Sequence, residues 1–92
     1  IRLTHADAQH NQLTRLRLPR DAPLEVLTCN DNRLTRLRLG QLPKLQSLIC
    51  SRNPLERLQL RGAMALQTLH CGQSAIRRLD VSMLRGLKEL RC

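Results

Sequence analysis

Residues 27–39 read LTCNDNRLTRLRL, and the same frame returns as LICSRNPLERLQL at 48–60 and LHCGQSAIRRLDV at 69–81, before LRC closes the sequence at 90–92. The interval is 21 residues. Leu3, Leu24, Leu45, Leu66 and Leu87 keep it, as do Cys29, Cys50, Cys71 and Cys92, with Ala8 heading the cysteine column. Asn11, Asn32 and Asn53 form another column, which Ser74 breaks. A fixed period along the whole chain marks a solenoid, in which each unit hides its apolar side only against its neighbours. The units run 3–23, 24–44, 45–65 and 66–86, with a partial fifth at 87–92, and together they make a single array.

The pattern inside a unit is nested. Leu24, Leu27 and Cys29 are followed ten residues on by Leu34, Leu37 and Leu39, so each coil has two apolar corners. Alternation in LTC and LRL predicts short strands, and Pro19, Pro23, Gly40, Pro43, Pro54, Gly62 and Gly86 supply turns between them. A helical repeat is the competing reading, since leucine and arginine favour helices on propensity alone. It fails on spacing: Leu34, Leu37, Leu39, Leu45 and Leu48 keep no 3.6-residue face, and Pro43 would interrupt any helix joining them.

The phrase LxxLxCxxNxLxxLxL resembles the leucine-rich repeat, specifically the 21-residue bacterial type with a nested ten-plus-eleven structure, often called the IRREKO type. The match covers essentially the whole chain. It departs in the first unit, where Ala6 and Ala8 stand for leucine and cysteine, and in the fourth, with Ser74 for asparagine and Ile76 and Val81 for leucine. The resemblance implies a right-handed coil with parallel strands on a concave face, short extended segments on the convex face and little helix. It also implies a bacterial source, and some such proteins are secreted effectors that act in the host cytosol.

Stacked rungs about 4.8 Å apart would set the four thiols in one inward column. Zinc needs four sulfurs converging at about 2.3 Å from one point, which a line of rungs does not offer. A disulfide needs Cβ atoms about 3.8 Å apart, closer than the rungs, so bridging neighbours is expected to strain the sheet. Cys29, Cys50, Cys71 and Cys92 are therefore read as core filler, protonated and unreactive, which suits a cytoplasmic or other reducing compartment. Asn11, Asn32 and Asn53 are read as structural too, bonding backbone groups of their own and the next coil.

Composition narrows the function. With 92 residues and no aromatic side chain, the core must be built from small uniform units, and burial is limited to about 60 to 65 per cent of the surface. No apolar run approaches a membrane span and the opening IRLTHADAQH lacks a signal-peptide segment. The sequence lacks an initiator methionine and stops in mid-pattern, so it is read as a fragment without caps, expected to fray or associate end to end.

The net charge of +9 is uneven. First halves of the units balance to zero, whereas second halves hold Arg15, Arg17, Arg20, Arg36, Arg38, Lys44, Arg57, Arg61, Arg77, Arg78 and Arg85 against Asp21, Glu56 and Asp80. Arg15, Arg36, Arg57 and Arg78 fall in one column, flanked by Arg17 and Arg38. Such a convex ladder fits nucleic acid, an anionic surface or an acidic protein. Repeats also copy surface residues with their core, repulsion between exposed rungs is only about 1 kcal/mol, and aromatic stacking platforms are missing, so sequence alone favours a compositional origin.

On the concave face of the resembled fold stand His5, Asp7, Gln9 and His10; Val26, Thr28, Asn30 and Asp31; Ser47, Ile49, Ser51 and Arg52; Thr68, His70, Gly72 and Gln73; and Glu89 and Arg91. This polar, nearly neutral surface varies from unit to unit above repeating core columns. It is read as a surface for binding another protein. Asp31 and Arg52, equivalent positions in adjacent rungs, are expected to pair weakly. No cofactor motif is present, the histidines are too scattered along the stack for a metal site, and Ser51 and His70 lack a third group to orient the ring, so no catalysis is expected. A further possibility is that the repeats belong to an effector whose activity lies outside this segment.

Overall fold

Every strand pair among the described residues is offset by 21 residues, so the period of the sequence is the register of the sheet. The structure, a computed structural model, describes residues 4–16, 18, 21 and 23–92. The expectations for Leu3, Arg17, Pro19 and Arg20 lie outside the described residues. Strands β1 (His5–Asp7), β2 (Val26–Thr28), β4 (Ser47–Ile49), β6 (Thr68–His70) and β7 (Glu89–Arg91) form a parallel sheet in the order β1-β2-β4-β6-β7. On the other half of the coil β3 (Arg36–Arg38) pairs with β5 (Arg57–Gln59). The result is a β-solenoid of about four turns with no helix among the described residues.

Three-residue strands follow from the two-residue alternation. In β2, β4 and β6 the central Leu27, Leu48 and Leu69 point inward and their neighbours outward. Cys29, Cys50 and Cys71 continue the inward set, and Leu34, Leu55, Leu37 and Leu39 return it from the opposite side. Each buried leucine contributes on the order of 1.5–3 kcal/mol, and this register repeats that gain at every rung. A third inward column, Leu42, Ala63 and Leu84, closes the turn between the two halves. Its pattern is hidden in the sequence because Asp21 occupies the position in the first unit.

The second extended segment is not uniform. Among the described residues it forms strands in the second and third units, while residues 76–81 of the fourth are irregular, with Ile76, Leu79 and Val81 only partly buried. The departures at Ser74, Ile76 and Val81 fall where the second strand is lost. In the first unit Ala6 and Ala8 leave the core shallower, and Leu13, Leu16 and Leu18 are likewise partly buried.

The asparagine column is a backbone device. Asn32 Nδ2 donates to the carbonyls of Cys29 (3.0 Å) and Asn30 (3.2 Å) in its own coil and of Ala8 (2.8 Å) in the preceding one, while its Oδ1 accepts from the Leu13 amide at 3.2 Å. Asn53 repeats the set one rung on, with the carbonyls of Cys50, Ser51 and Cys29 and the Leu34 amide. The bonds run to the preceding coil, not the next as expected, because the chain at this corner turns its amide back toward the rung below. Asn11 departs from the expected core role: it is exposed and bonds only its own coil, to Ala8 and Gln9.

The residue before each member of that column turns the chain. His10, Asp31, Arg52 and Gln73 have φ of 55°, 59°, 56° and 53°, the left-handed region. Asp and His tolerate it through local bonding, whereas Arg52 and Gln73 bear its steric cost.

The cysteine column is corrected at its end. Cys29 and Cys50 are free and buried, and burial pushes their thiols up to about 11 and about 12, with Cys29 adding to the effect on Cys50. Cys92, read as core filler, is exposed and forms a disulfide with Cys71. Neighbouring rungs were expected to be too far apart, but the two Cα atoms are 4.6 Å from each other, inside the range a disulfide spans.

Candidate functional site

The outer face of the five-stranded sheet gathers the candidate residues in columns set by the register. His5, Val26, Ser47, Thr68 and Glu89 make one, and Asp7, Thr28, Ile49, His70 and Arg91 make the next. Beyond the strand ends lie Gln9, Asn30, Ser51 and Gly72, then the left-handed His10, Asp31, Arg52 and Gln73. All ten residues singled out for binding, His5, Asp7, Thr28, Asn30, Asp31, Ile49, Ser51, Arg52, His70 and Gln73, thus belong to one face and its adjoining edge.

The polar groups on this face are largely tied to one another. Asp31 takes two hydrogen bonds from Arg52, through Nε and, at 2.7 Å, through a terminal nitrogen, and lies 3.1 Å from His10 Nδ1. The Arg52 hydrogen bonds hold the Asp31 carboxyl below its usual range, with the charges of Arg52 and His10 adding to them. Left-handed backbone at three consecutive rungs brings these side chains into one file. Nearby, Asp7 Oδ1 accepts from the Gln9 amide at 3.0 Å, Asn30 Nδ2 donates to Gln9 Oε1 at 3.4 Å, and Asn30 Oδ1 accepts from the Ser51 amide at 2.6 Å.

At the other end His70 has the partner that sequence reading denied it. Glu89 Oε2 stands 3.0 Å from His70 Nε2, and Arg91 reaches the other carboxylate oxygen at 3.3 Å. The His70 hydrogen bond, followed by the Arg91 charge, holds Glu89 below its usual range. The two residues are 19 apart, a diagonal between rungs that a search along columns does not find. Ser51 is not in that group: its register neighbour is Gly72, and its amide is engaged by Asn30.

Between these two clusters lies a different surface. Val26, Thr28, Ser47, Ile49 and Thr68 are half-buried, and among the described residues none makes a side-chain hydrogen bond. The centre of the face is therefore apolar and hydroxyl-lined, with its charges fixed at the rim.

The second face has the opposite character. In the β3–β5 pair Arg36 stands directly across from Arg57, and Arg38 across from Gln59. Like charges directly opposite are destabilising. Among the described residues Arg15, Arg36, Arg38, Arg57, Arg77 and Arg78 form no ion pair; the salt bridges all lie on the five-stranded side. A groove of about 840 Å³ is lined by Thr14, Arg15, Thr35, Arg36 and Arg38, and a second of about 560 Å³ by Arg57, Arg77 and Arg78, with Glu56 on the wall of both. Asp80 is turned to the Ser82 hydroxyl and amide, whose hydrogen bonds hold its carboxyl below the usual range.

Among the described residues no group of three or more potential metal ligands occurs, and there is no helix long and apolar enough to cross a membrane. Comparison with protein-family models, curated proteins and solved structures found no match to the chain.

Proposed function

We propose that the protein is an interaction module that binds another protein on the outer face of its five-stranded sheet. The observation that carries this reading is the half-buried centre around Ile49, left without polar partners while Asp31, Arg52, His70, Glu89 and Arg91 neutralise one another at its edge. An apolar centre with a polar rim is the usual anatomy of a recognition patch. Variation along the face, above a core that repeats, supports the same reading. The resemblance to bacterial leucine-rich repeats supports it further and extends the proposal to a bacterial binding segment, with any effector activity lying elsewhere. On this reading the segment does no chemistry of its own.

A photo-crosslinking side chain at Thr28 or Ser47 tests it in a native extract, with the same probe at Gln59 as comparison. The sheet positions should give a discrete adduct that Ile49→Asp removes. Equal labelling from Gln59, or adducts indifferent to Ile49→Asp, would overturn the assignment.

A further inference from the structure

We infer that the two-stranded face binds the sugar–phosphate backbone of a duplex nucleic acid, independently of base sequence. The compositional account of the arginines explains their repetition but not their surroundings. Arg36 and Arg57 are held side by side in register and, among the described residues, form no ion pair; Glu56 is the one carboxylate lining the two grooves beside them, against Arg15, Arg36, Arg38, Arg57, Arg77 and Arg78, and Asp80 is turned to Ser82. The groove beside them has an apolar floor of Leu16, Leu18 and Leu39, and Thr14 and Thr35 add hydroxyls to the guanidiniums on its walls, donors that phosphate oxygens take, with Glu56 as the one opposing charge.

Spacing favours a linear polyanion. The 21-residue period sets Arg15, Arg36, Arg57 and Arg78 one to a coil, with Arg36 and Arg57 in paired strands, and three steps of about 4.8 Å span about 14 Å. One strand of a duplex carries a phosphate every 3.4 Å or so along the axis, so about four phosphates face four guanidiniums. Arginine grips phosphate through two parallel donors, which lysine does not, and this surface is built of arginine. Single strands are gripped by aromatic stacking, and the protein has no aromatic residue. The same lack removes the interfacial anchors of a membrane-bound surface.

Fluorescence anisotropy with a short labelled DNA or RNA duplex, from about 50 to 200 mM salt, tests this. Four phosphate contacts give a log–log salt slope of about −3.6, a loss of about a hundredfold over that range. Arg36→Gln with Arg57→Gln should halve the slope. Arg33→Gln with Lys88→Gln removes the same net charge elsewhere and should leave it unchanged. Glu56→Gln should tighten binding several-fold, and Arg36→Lys with Arg57→Lys, which keeps charge and fold, should weaken it several-fold. No binding at the lowest salt, equal effects of the two double glutamine variants, or equally tight binding of single strands, phosphatidylserine vesicles or polyglutamate would overturn the proposal. Because the opposite face is untouched, either outcome leaves the protein-binding assignment to be judged by its own crosslinking.

Discussion

The side-chain amide of Asn53 reaches back 24 residues to the carbonyl oxygen of Cys29 at 3.0 Å, and Asn32 Nδ2 donates to the same oxygen at 3.0 Å. Two successive coils are thus fastened through one buried acceptor. Replacing Asn53 by alanine strips partners from the Cys29 and Cys50 carbonyls and from the Leu34 amide, all inside the stack. Urea unfolding should show a loss of about 2–3 kcal/mol, against a few tenths for Asn11→Ala at the exposed end of the column.

The same column suggests a gain. Ser74 occupies the fourth position with a side chain too short to reach the equivalent groups, the carbonyls of Cys50, Cys71 and Gly72 and the Leu55 amide. Ser74→Asn should raise the urea midpoint by an amount worth about 1 kcal/mol with unchanged slope. A fall in stability would show that the fourth coil does not present those groups.

Gly62 is fixed by its neighbour one coil back. A Cβ there would coincide with the backbone of Gly40, whose own φ of 61° sets the turn, and the Gly62 carbonyl accepts from the Leu42 amide at 3.0 Å. Gly62→Ala should cost about 2–3 kcal/mol, whereas Gly86→Ala, with open space around it, should change little. Thermal unfolding of the two variants makes the comparison.

Alkali should loosen the core through its thiols. Cys29 and Cys50 titrate at about 11 and about 12 when folded, above the ordinary value of 9.0, so the folded state holds its protons longer than the unfolded one. Their contribution is fully present below pH 9.0 and fades as pH rises through about 11 and 12. Stability measured across that window should fall, and should fall less steeply in a Cys29→Ala, Cys50→Ala variant.

Asp31 should report its pairing by NMR. Arg52→Gln removes the hydrogen bonds that lower its pKa, so its titration should move up toward 3.8. The depressed pKa means the pairing assists folding above the ordinary value and is lost as pH falls through the folded one. Unchanged titration would show that the pair does not persist in solution.

The period of 21 carried most of the fold, because in a parallel stack the repeat distance and the strand register are one quantity. The Asp31–Arg52 pair followed directly from it. Other features were hidden for separate reasons. Left-handed backbone at Arg52 and Gln73 has no glycine or asparagine to announce it, and the Leu42 column is masked by Asp21. The His70–Glu89 contact needs a diagonal step, and the Cys71–Cys92 disulfide needs actual Cα positions. The arginines were visible at once, but that Arg36 and Arg57 stand across from each other without forming an ion pair among the described residues is a property of folded neighbours.

The constant offset also bears on how such a molecule can change. Each coil meets the coils before and after it through the same short set of steps along the chain, so an in-frame copy of residues 45–65 placed after residue 65 would find ready partners above and below. Growth by tandem duplication needs no repacking of existing side chains. The height of the stack, and with it the number of side chains displayed on either face, is adjustable in whole modules.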